Sequence, residues 1–109
     1  MSPISCPDNV SFDTVGNLWV ATDGNVLGSN DGLFRVPLEG PDRGHVQQFL
    51  TVPVGAETCG PLISDRDRSV WVAVQHPGEA DGSTFDTPAS TWPHTDLFPR
   101  PAVVVSWQV

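Results

Sequence analysis

A repeated motif constrains the fold of this chain more than any other feature. Its first copy runs from Asp13 through a short turn to Trp19-Val-Ala, and its second copy runs from Asp65 to Trp71-Val-Ala. The aspartates and the tryptophans of the two copies are each 52 positions apart. Each copy predicts the end of a β-hairpin, and a period near fifty residues with about four strands per unit is typical of β-propeller blades.

The composition favours strands over helices. The 109 residues include 11 prolines and 10 glycines, and the apolar residues are rich in Val, Trp and Phe. No segment has apolar residues at helical spacing over ten positions. We therefore predict an all-β protein built from antiparallel β-meander blades.

The two units are not equally complete. Residues 1–54 predict a first, four-stranded blade, and residues 55–109 predict a second, incomplete blade with a Pro-rich insertion at 75–101. The predicted strands are residues 10–12, 18–21, 33–36, 46–52, 59–65, 70–74 and 102–107. One and three-quarter blades cannot close a propeller, so we expect a fragment of a larger one, with the missing strand supplied elsewhere. Trp92 and Phe98 indicate that the insertion packs against the rest.

The charge balance argues against a nucleic-acid partner. The chain has 5 basic and 13 acidic residues, a net charge of −8, with no basic patch. An acidic chain attracts cations, although a solvated acidic surface explains the same composition. No apolar run reaches the ~18 residues of a membrane-spanning helix, so no membrane partner is expected. No export signal is visible, which predicts a cytoplasmic protein if this is the natural product.

The two cysteines and the strand edges bear on assembly. Cys6 and Cys59 form neither a disulfide framework nor the short paired spacing of a zinc site, and they can pair only if the fold brings them together.

Unpaired edge strands of an incomplete propeller are templates for further strands. We therefore expect self-association through exposed strand edges.

Three oxygen-bearing side chains are the candidate metal ligands. Asp8 and Asn9 precede the first strand, and Glu57 lies in the equivalent loop of the second unit. Loops that enter the inner strands of a propeller converge on one mouth of its channel, and converging carboxylates bind hard cations. The alternative is that Asp8 and Asn9 only cap a turn.

Other polar residues have weaker support. The loop after the second strand contains Asp23, Asn25, Asn30 and Asp31, which look like fragments of a calcium loop but are also typical turn residues. His76 at a strand end is a candidate metal ligand or general acid, or a hydrogen-bonded structural residue. Arg100 can bind an anion or stack on Trp92.

A set of ordered motifs extends from Cys6 to Val105: CPDN, FDxxGNLWVATDG, NDGLFRVPxEGPxRG, QFLTVPVGAExCGP, VWVAVQHPGE, STWP and PRPAVVV. This ordered set resembles the C-terminal part of PhoX-type alkaline phosphatases. GNLWVATDG alone occurs in unrelated propellers, whereas GAExCGP and AVQHPGE are specific.

The resemblance implies an enzyme of defined chemistry. Proteins of this family are calcium-dependent phosphomonoesterases with Fe³⁺ and Ca²⁺ at the mouth of a β-propeller, usually exported to the periplasm or secreted. By position, Asp8, Asn9 and Glu57 are the candidate metal-site residues. A phosphate monoester is the expected substrate of the intact parent, and this chain is expected to be inactive alone. The alternatives are a non-enzymatic propeller segment with structural calcium or a bound partner, and a gluconolactonase-like hydrolase.

Overall fold

The fold consists of seven β-strands in two antiparallel sheets. The computed structural model describes residues 4–24, 26–94, 96 and 98–109, and it contains no helix in them. The strands are β1 (Pro7–Phe12), β2 (Asn17–Thr22), β3 (Gly32–Pro37), β4 (Gln47–Thr51), β5 (Glu57–Ser64), β6 (Ser69–Gln75) and β7 (Ala102–Trp107). The all-β prediction is confirmed. Among these residues, no helix is long and apolar enough to cross a membrane.

Each sheet is a meander in which consecutive strands are neighbours. The first sheet has the order β1-β2-β3-β4, and the second has the order β5-β6-β7. In the second sheet, β6 pairs with β7 from Ser69 opposite Trp107 to Val74 opposite Ala102. The chain between β6 and β7 is the Pro-rich insertion. In the described ranges no fourth strand covers the outer edge of β7.

The residues predicted to form loops before the first strand of each unit belong to β-strands in the structure. β1 begins at Pro7 and β5 begins at Glu57, so the prediction of a polar loop through Asn9 was wrong. Pairing with β2 shifts between Pro7 opposite Thr22 and Asn9 opposite Ala21. Asp8 is therefore the extra residue of a β-bulge, which lets a proline and two polar residues start a strand.

The turn between β1 and β2 is organised by the Asp13 carboxylate. It accepts hydrogen bonds from the backbone N–H groups of Val15 (3.1 Å) and Asn17 (2.9 Å), from the Asn17 amide (2.6 Å), and from the Trp19 indole N–H (3.0 Å). Partial burial by itself raises the pKa of Asp13, but the hydrogen bonds from Trp19, Asn17 and Val15 outweigh it and hold that pKa below its usual value. The Asp13 carboxylate therefore holds the Trp19 indole against the turn between β1 and β2.

Asp13→Asn is expected to lower the free energy of unfolding by about 1–3 kcal/mol at pH 7, because the charged acceptor of four hydrogen bonds is lost. A depressed folded-state pKa contributes stability above the unfolded pKa, and that stability is lost as the pH falls through the folded pKa. The difference between wild type and variant should therefore shrink as the pH falls below about 4. Urea denaturation at pH 7 and at pH 2.5 measures it, and an equal difference at both values would contradict the role of the charge.

The main core lies between the two sheets. Trp19, Ala21 and Leu33 of the first sheet pack against Val72 of the second. A second cluster joins Val52, Ala56 and Val74, and Trp92 of the insertion packs against it. The insertion therefore packs on the sheets through Trp92, whereas Phe98 stacks on Phe85 within the insertion. Burial of these apolar side chains is what holds one sheet against the other.

Polar contacts fix the two sheets in register. The backbone N–H and the hydroxyl of Thr14 both donate to Asp65 Oδ2, at 2.8 and 2.6 Å. Asp65 is the second motif aspartate, and it bonds to the turn of the first unit rather than to its own tryptophan. Cys6 and Cys59 are both free thiols, so no disulfide between them contributes.

Candidate metal centre

Three side chains at the ends of different strands meet at one edge of the two sheets. Asp23, Glu57 and His76 each offer a ligand atom, and these atoms lie within 4.8 Å of one another. Asp23 follows β2, Glu57 begins β5, and His76 follows β6. Two carboxylates and an imidazole at this separation can bind one metal ion together.

Asp31 fixes the base of the loop that presents Asp23. Its carboxylate accepts hydrogen bonds from the Thr22 hydroxyl (2.7 Å) and from the Gly24 backbone N–H (2.9 Å), and only 3% of Asp31 is exposed. The Asp23 N–H donates to the Cys6 carbonyl oxygen at 3.0 Å. The loop backbone is thus held on both sides of Asp23, whose side chain is left exposed to solvent.

Hydrogen bonds also orient the other two members of the cluster. His76 Nδ1 lies 3.0 Å from the Gly55 carbonyl oxygen, which can only accept, so Nδ1 carries the proton. His76 Nε2 then faces Glu57 Oε2 at 3.2 Å, and the Gln75 amide donates to Glu57 Oε1 at 3.4 Å. Metal-binding histidines are typically held in this way, with one ring nitrogen on a backbone carbonyl and the other turned to the metal.

The charge around His76 favours its protonated form when no metal is bound. Partial burial lowers the pKa of the imidazole, but the hydrogen bond to Gly55, the hydrogen bond to Glu57 and the negative charges of Glu79 and Glu57 outweigh it. The pKa of His76 is therefore raised above its usual value. A proton and a metal ion compete for the same ring nitrogen, because the ligand must be deprotonated.

The backbone at His76 has an unusual conformation. His76 has a φ of +33°, in the left-handed region that non-glycine residues rarely adopt. Such conformations cost about 1–3 kcal/mol and cluster at functional sites. Gly55 has a φ of +75°, and a Cβ on it would overlap the Glu79 carbonyl group. A glycine here allows its carbonyl to reach His76.

Of the three residues predicted from the sequence as metal ligands, one lies in the cluster and two lie outside it. Glu57 belongs to the cluster, whereas Asp8 is an exposed residue of the β1 bulge outside it. Asn9 Oδ1 accepts a hydrogen bond from the Gly60 N–H at 3.1 Å and so links β1 to β5. A metal role for Asp8 and Asn9 stays a prediction. The Arg100 backbone N–H donates to the Trp92 carbonyl at 3.2 Å.

The sequence leaves the roles of Asp23 and His76 open. Asp23 fits a calcium-loop fragment or a turn, and His76 fits a metal ligand, a general acid or a structural residue. Each directly follows the second strand of its unit, and the repeat of 52 places them within one position of equivalence. That equivalence is the signal that could have paired them. Asn30 donates to the Val52 carbonyl at 3.1 Å, as a loop residue does, and Asn25 lies outside the described residues.

An acidic cleft of about 530 Å³ adjoins the cluster. Asp23 and His76 line it with Asp31, Glu79 and Asp81, and it has no lysine or arginine among its described lining residues. Carboxylates repel an anion such as phosphate. Cations bound at the cluster would reduce this negative charge and so favour an anionic ligand.

The fold and this cluster together define a β-propeller-like protein with a candidate metal centre. Residues 1–78 match the family model described as Alkaline phosphatase PhoX, and the chain therefore belongs to the PhoX alkaline phosphatase family. The structure is similar to that of Pseudomonas fluorescens PhoX in complex with vanadate, a transition state analogue, with 29% identity and a TM-score of 0.70. The match covers 93% of this chain but 17% of that one. No curated protein sequence matches the chain.

Proposed function

We propose that this chain forms part of a metal-dependent phosphatase that hydrolyses phosphate monoesters, and that Asp23, Glu57 and His76 bind one of its metal ions. The observation that carries the proposal is the convergence of their ligand atoms within 4.8 Å, in a chain of the PhoX family. The vanadate complex of the similar structure supports the same reaction class, since vanadate is named there as a transition state analogue.

The donor set fits iron better than calcium at His76. Calcium prefers oxygen ligands only, whereas imidazole nitrogen is a common ligand of iron. The Nδ1–H bond to Gly55 leaves Nε2 free to bind such an ion. Imidazole also suits zinc, copper and nickel, and the choice of iron comes from what the resemblance to PhoX phosphatases implies. The proposal therefore places Fe³⁺ at the His76 side of the cluster. Ca²⁺ is proposed at neighbouring carboxylate oxygens, with exposed Asp8 and with Asn9 as further candidates.

The chain's own residues position the reacting groups. Asp23 and Glu57 would supply negative oxygens to a metal ion, and the Gln75 amide holds Glu57 in its orientation. Such an ion would supply Lewis-acid chemistry at a phosphoryl oxygen or a water molecule. Because the cleft is acidic, its charge disfavours anions, and a bound cation would reduce that effect.

The chain alone is proposed to be inactive. Calcium takes six to eight oxygen ligands, more than this cluster offers. Asp23, Glu57 and His76 supply three, and the chain spans 17% of the similar PhoX structure. The remaining ligands are proposed to come from other blades of the parent protein.

The test is p-nitrophenyl phosphate turnover and metal content, for this chain and for the longest natural protein that contains it. We expect iron with calcium and turnover in the longer protein, and neither turnover nor full metal content in the chain. A metal-loaded longer protein without phosphatase activity would overturn the proposal. A single divalent ion with no turnover would instead favour the structural-calcium alternative, and hydrolysis of a lactone would favour the gluconolactonase-like one.

A further inference from the structure

The insertion between β6 and β7 builds a second cavity beside the candidate metal centre. This cavity has a volume of about 390 Å³ and is lined mainly by phenylalanine and proline rings. Phe85 and Phe98 form one part of its wall, and Pro88, Pro99 and Pro101 form another. Apart from His76, the residues that line this aromatic pocket take no part in the proposed metal binding.

The two phenylalanine rings are stacked and yet open to solvent. Their centroids are 4.3 Å apart with an angle of 25° between the planes. Phe85 is 75% exposed and Phe98 is 45% exposed. Large apolar groups that converge on a cavity while remaining exposed are typical of a ligand-binding surface.

The wall of the aromatic pocket is held in place by short-range contacts. The Ala89 N–H donates to the Gly78 carbonyl oxygen at 2.9 Å, which ties the insertion to the turn after His76. Gly78 has a φ of +88°, and a Cβ on it would lie 2.6 Å from the Ser90 carbonyl oxygen. This close approach and the proline rings make the pocket preformed, which lowers the entropy cost of binding.

The aromatic pocket and the acidic cleft share a wall. His76 and Glu79 line both cavities, and His76 is also a member of the metal cluster. The two cavities are therefore neighbours, with His76 and Glu79 at their boundary.

The charges of the residues that line the aromatic pocket limit which ligands can bind in it. The described residues around the aromatic pocket include Glu79 but no lysine or arginine, and the whole chain carries a net charge of −8. A second phosphate or a carboxylate would find no lysine or arginine there, and it would lie beside the Glu79 carboxylate. Stacked aromatic rings instead favour a flat, neutral group.

We propose that the aromatic pocket binds the alcohol part of the phosphate monoester and that it selects aromatic over small polar alcohols. This inference rests on the proposed phosphatase function, because it assigns the leaving group of that reaction. Phe85 and Phe98 are the specificity-determining residues, and His76 lies at the junction of the two subsites.

The test has two arms, and its probes are methylphosphonate, phenylphosphonate and p-nitrophenol. The two phosphonates are titrated by calorimetry into the longest natural protein that contains this chain, loaded with its metal ions. p-Nitrophenol, at a pH where it is neutral, is titrated into the metal-free chain and followed through the aromatic ¹H–¹³C NMR signals. We expect phenylphosphonate to bind at least about 10-fold more tightly than methylphosphonate. We also expect p-nitrophenol alone to shift the signals of Phe85 and Phe98.

Variants assign the effect to the aromatic pocket. Phe85→Ala and Phe98→Ala should each reduce phenylphosphonate affinity by about 3- to 10-fold and leave methylphosphonate affinity unchanged. Phe12→Ala is the matched control, since Phe12 is an exposed phenylalanine on β1 that does not line the pocket. The spectrum of each variant reports whether it is folded.

The outcomes separate this inference from the proposed function. If p-nitrophenol leaves Phe85 and Phe98 unshifted, or if both phosphonates bind equally, the aromatic pocket is not an alcohol subsite and the inference is overturned. If neither phosphonate binds to the metal-loaded longer protein but p-nitrophenol shifts both rings, the pocket binds aromatic alcohols as inferred, and the proposed phosphatase function fails instead.

Discussion

Glu57→Gln is expected to lower the affinity of the candidate metal centre by more than about 100-fold. Loss of a residue that only supports a metal ligand typically costs 10–100-fold, and loss of a direct carboxylate ligand costs more. The substitution keeps the size of the side chain and removes its charge. Glu57 also accepts from Gln75 and faces His76, so no neighbouring acid can take its place without moving.

Isothermal titration with Fe³⁺ or Ca²⁺ measures the loss of affinity directly. Glu39→Gln is the matched control, because Glu39 is exposed and lies in the turn after β3, outside the cluster. It should bind metal as the wild type does. Equal affinities for Glu57→Gln and wild type would show that the cluster is not a metal site.

Leu33→Ala is expected to destabilise the protein by about 2–5 kcal/mol, the usual range for removing a leucine side chain from a packed core. Leu33 is 0% exposed and packs with Trp19 and Ala21 of its own sheet and with Val72 of the other. Its loss leaves a cavity at the contact between the sheets. The sheets are therefore expected to separate more easily.

Leu33→Ala should also weaken metal binding, although Leu33 is not a ligand, because the three candidate ligands come from both sheets. Asp23 comes from the first sheet, while Glu57 and His76 come from the second. Urea denaturation gives the stability change, and titration with metal gives the affinity. Leu62→Ala is the control, because Leu62 is a strand leucine that is 59% exposed, and it should change stability by less than about 0.5 kcal/mol. A similar loss in both variants would contradict the core role of Leu33.

The strand order could be predicted because it depends on local patterns. Alternating apolar residues around Trp19 and Trp71, with turn residues between them, specify hairpins without reference to the rest of the chain. The motif aspartates repeat in sequence but differ in structure. Asp13 holds Trp19, whereas Asp65 bonds to Thr14 of the neighbouring unit. A sequence pattern cannot show which of these partners an aspartate will take.

The candidate site could be predicted only in part. Glu57 was found because it lies at the entry to the second unit, and Asp8 and Asn9 were chosen by the same rule. The rule places residues at one edge of a sheet, but it does not determine side-chain direction. The bulge at Asp8 changes the local pairing, and the Asn9 side chain bonds to Gly60.

The sequence by itself determined the all-β class, the repeat of about fifty residues and the resemblance to PhoX phosphatases, because these reside in short-range patterns and ordered motifs. Only the tertiary structure decided that Asp23 and His76 join Glu57, and that the insertion forms an aromatic pocket next to them. The reason is physical. An aspartate in a turn and a histidine at a strand end are chemically ambiguous until packing of one sheet on the other sets the distance between their ligand atoms.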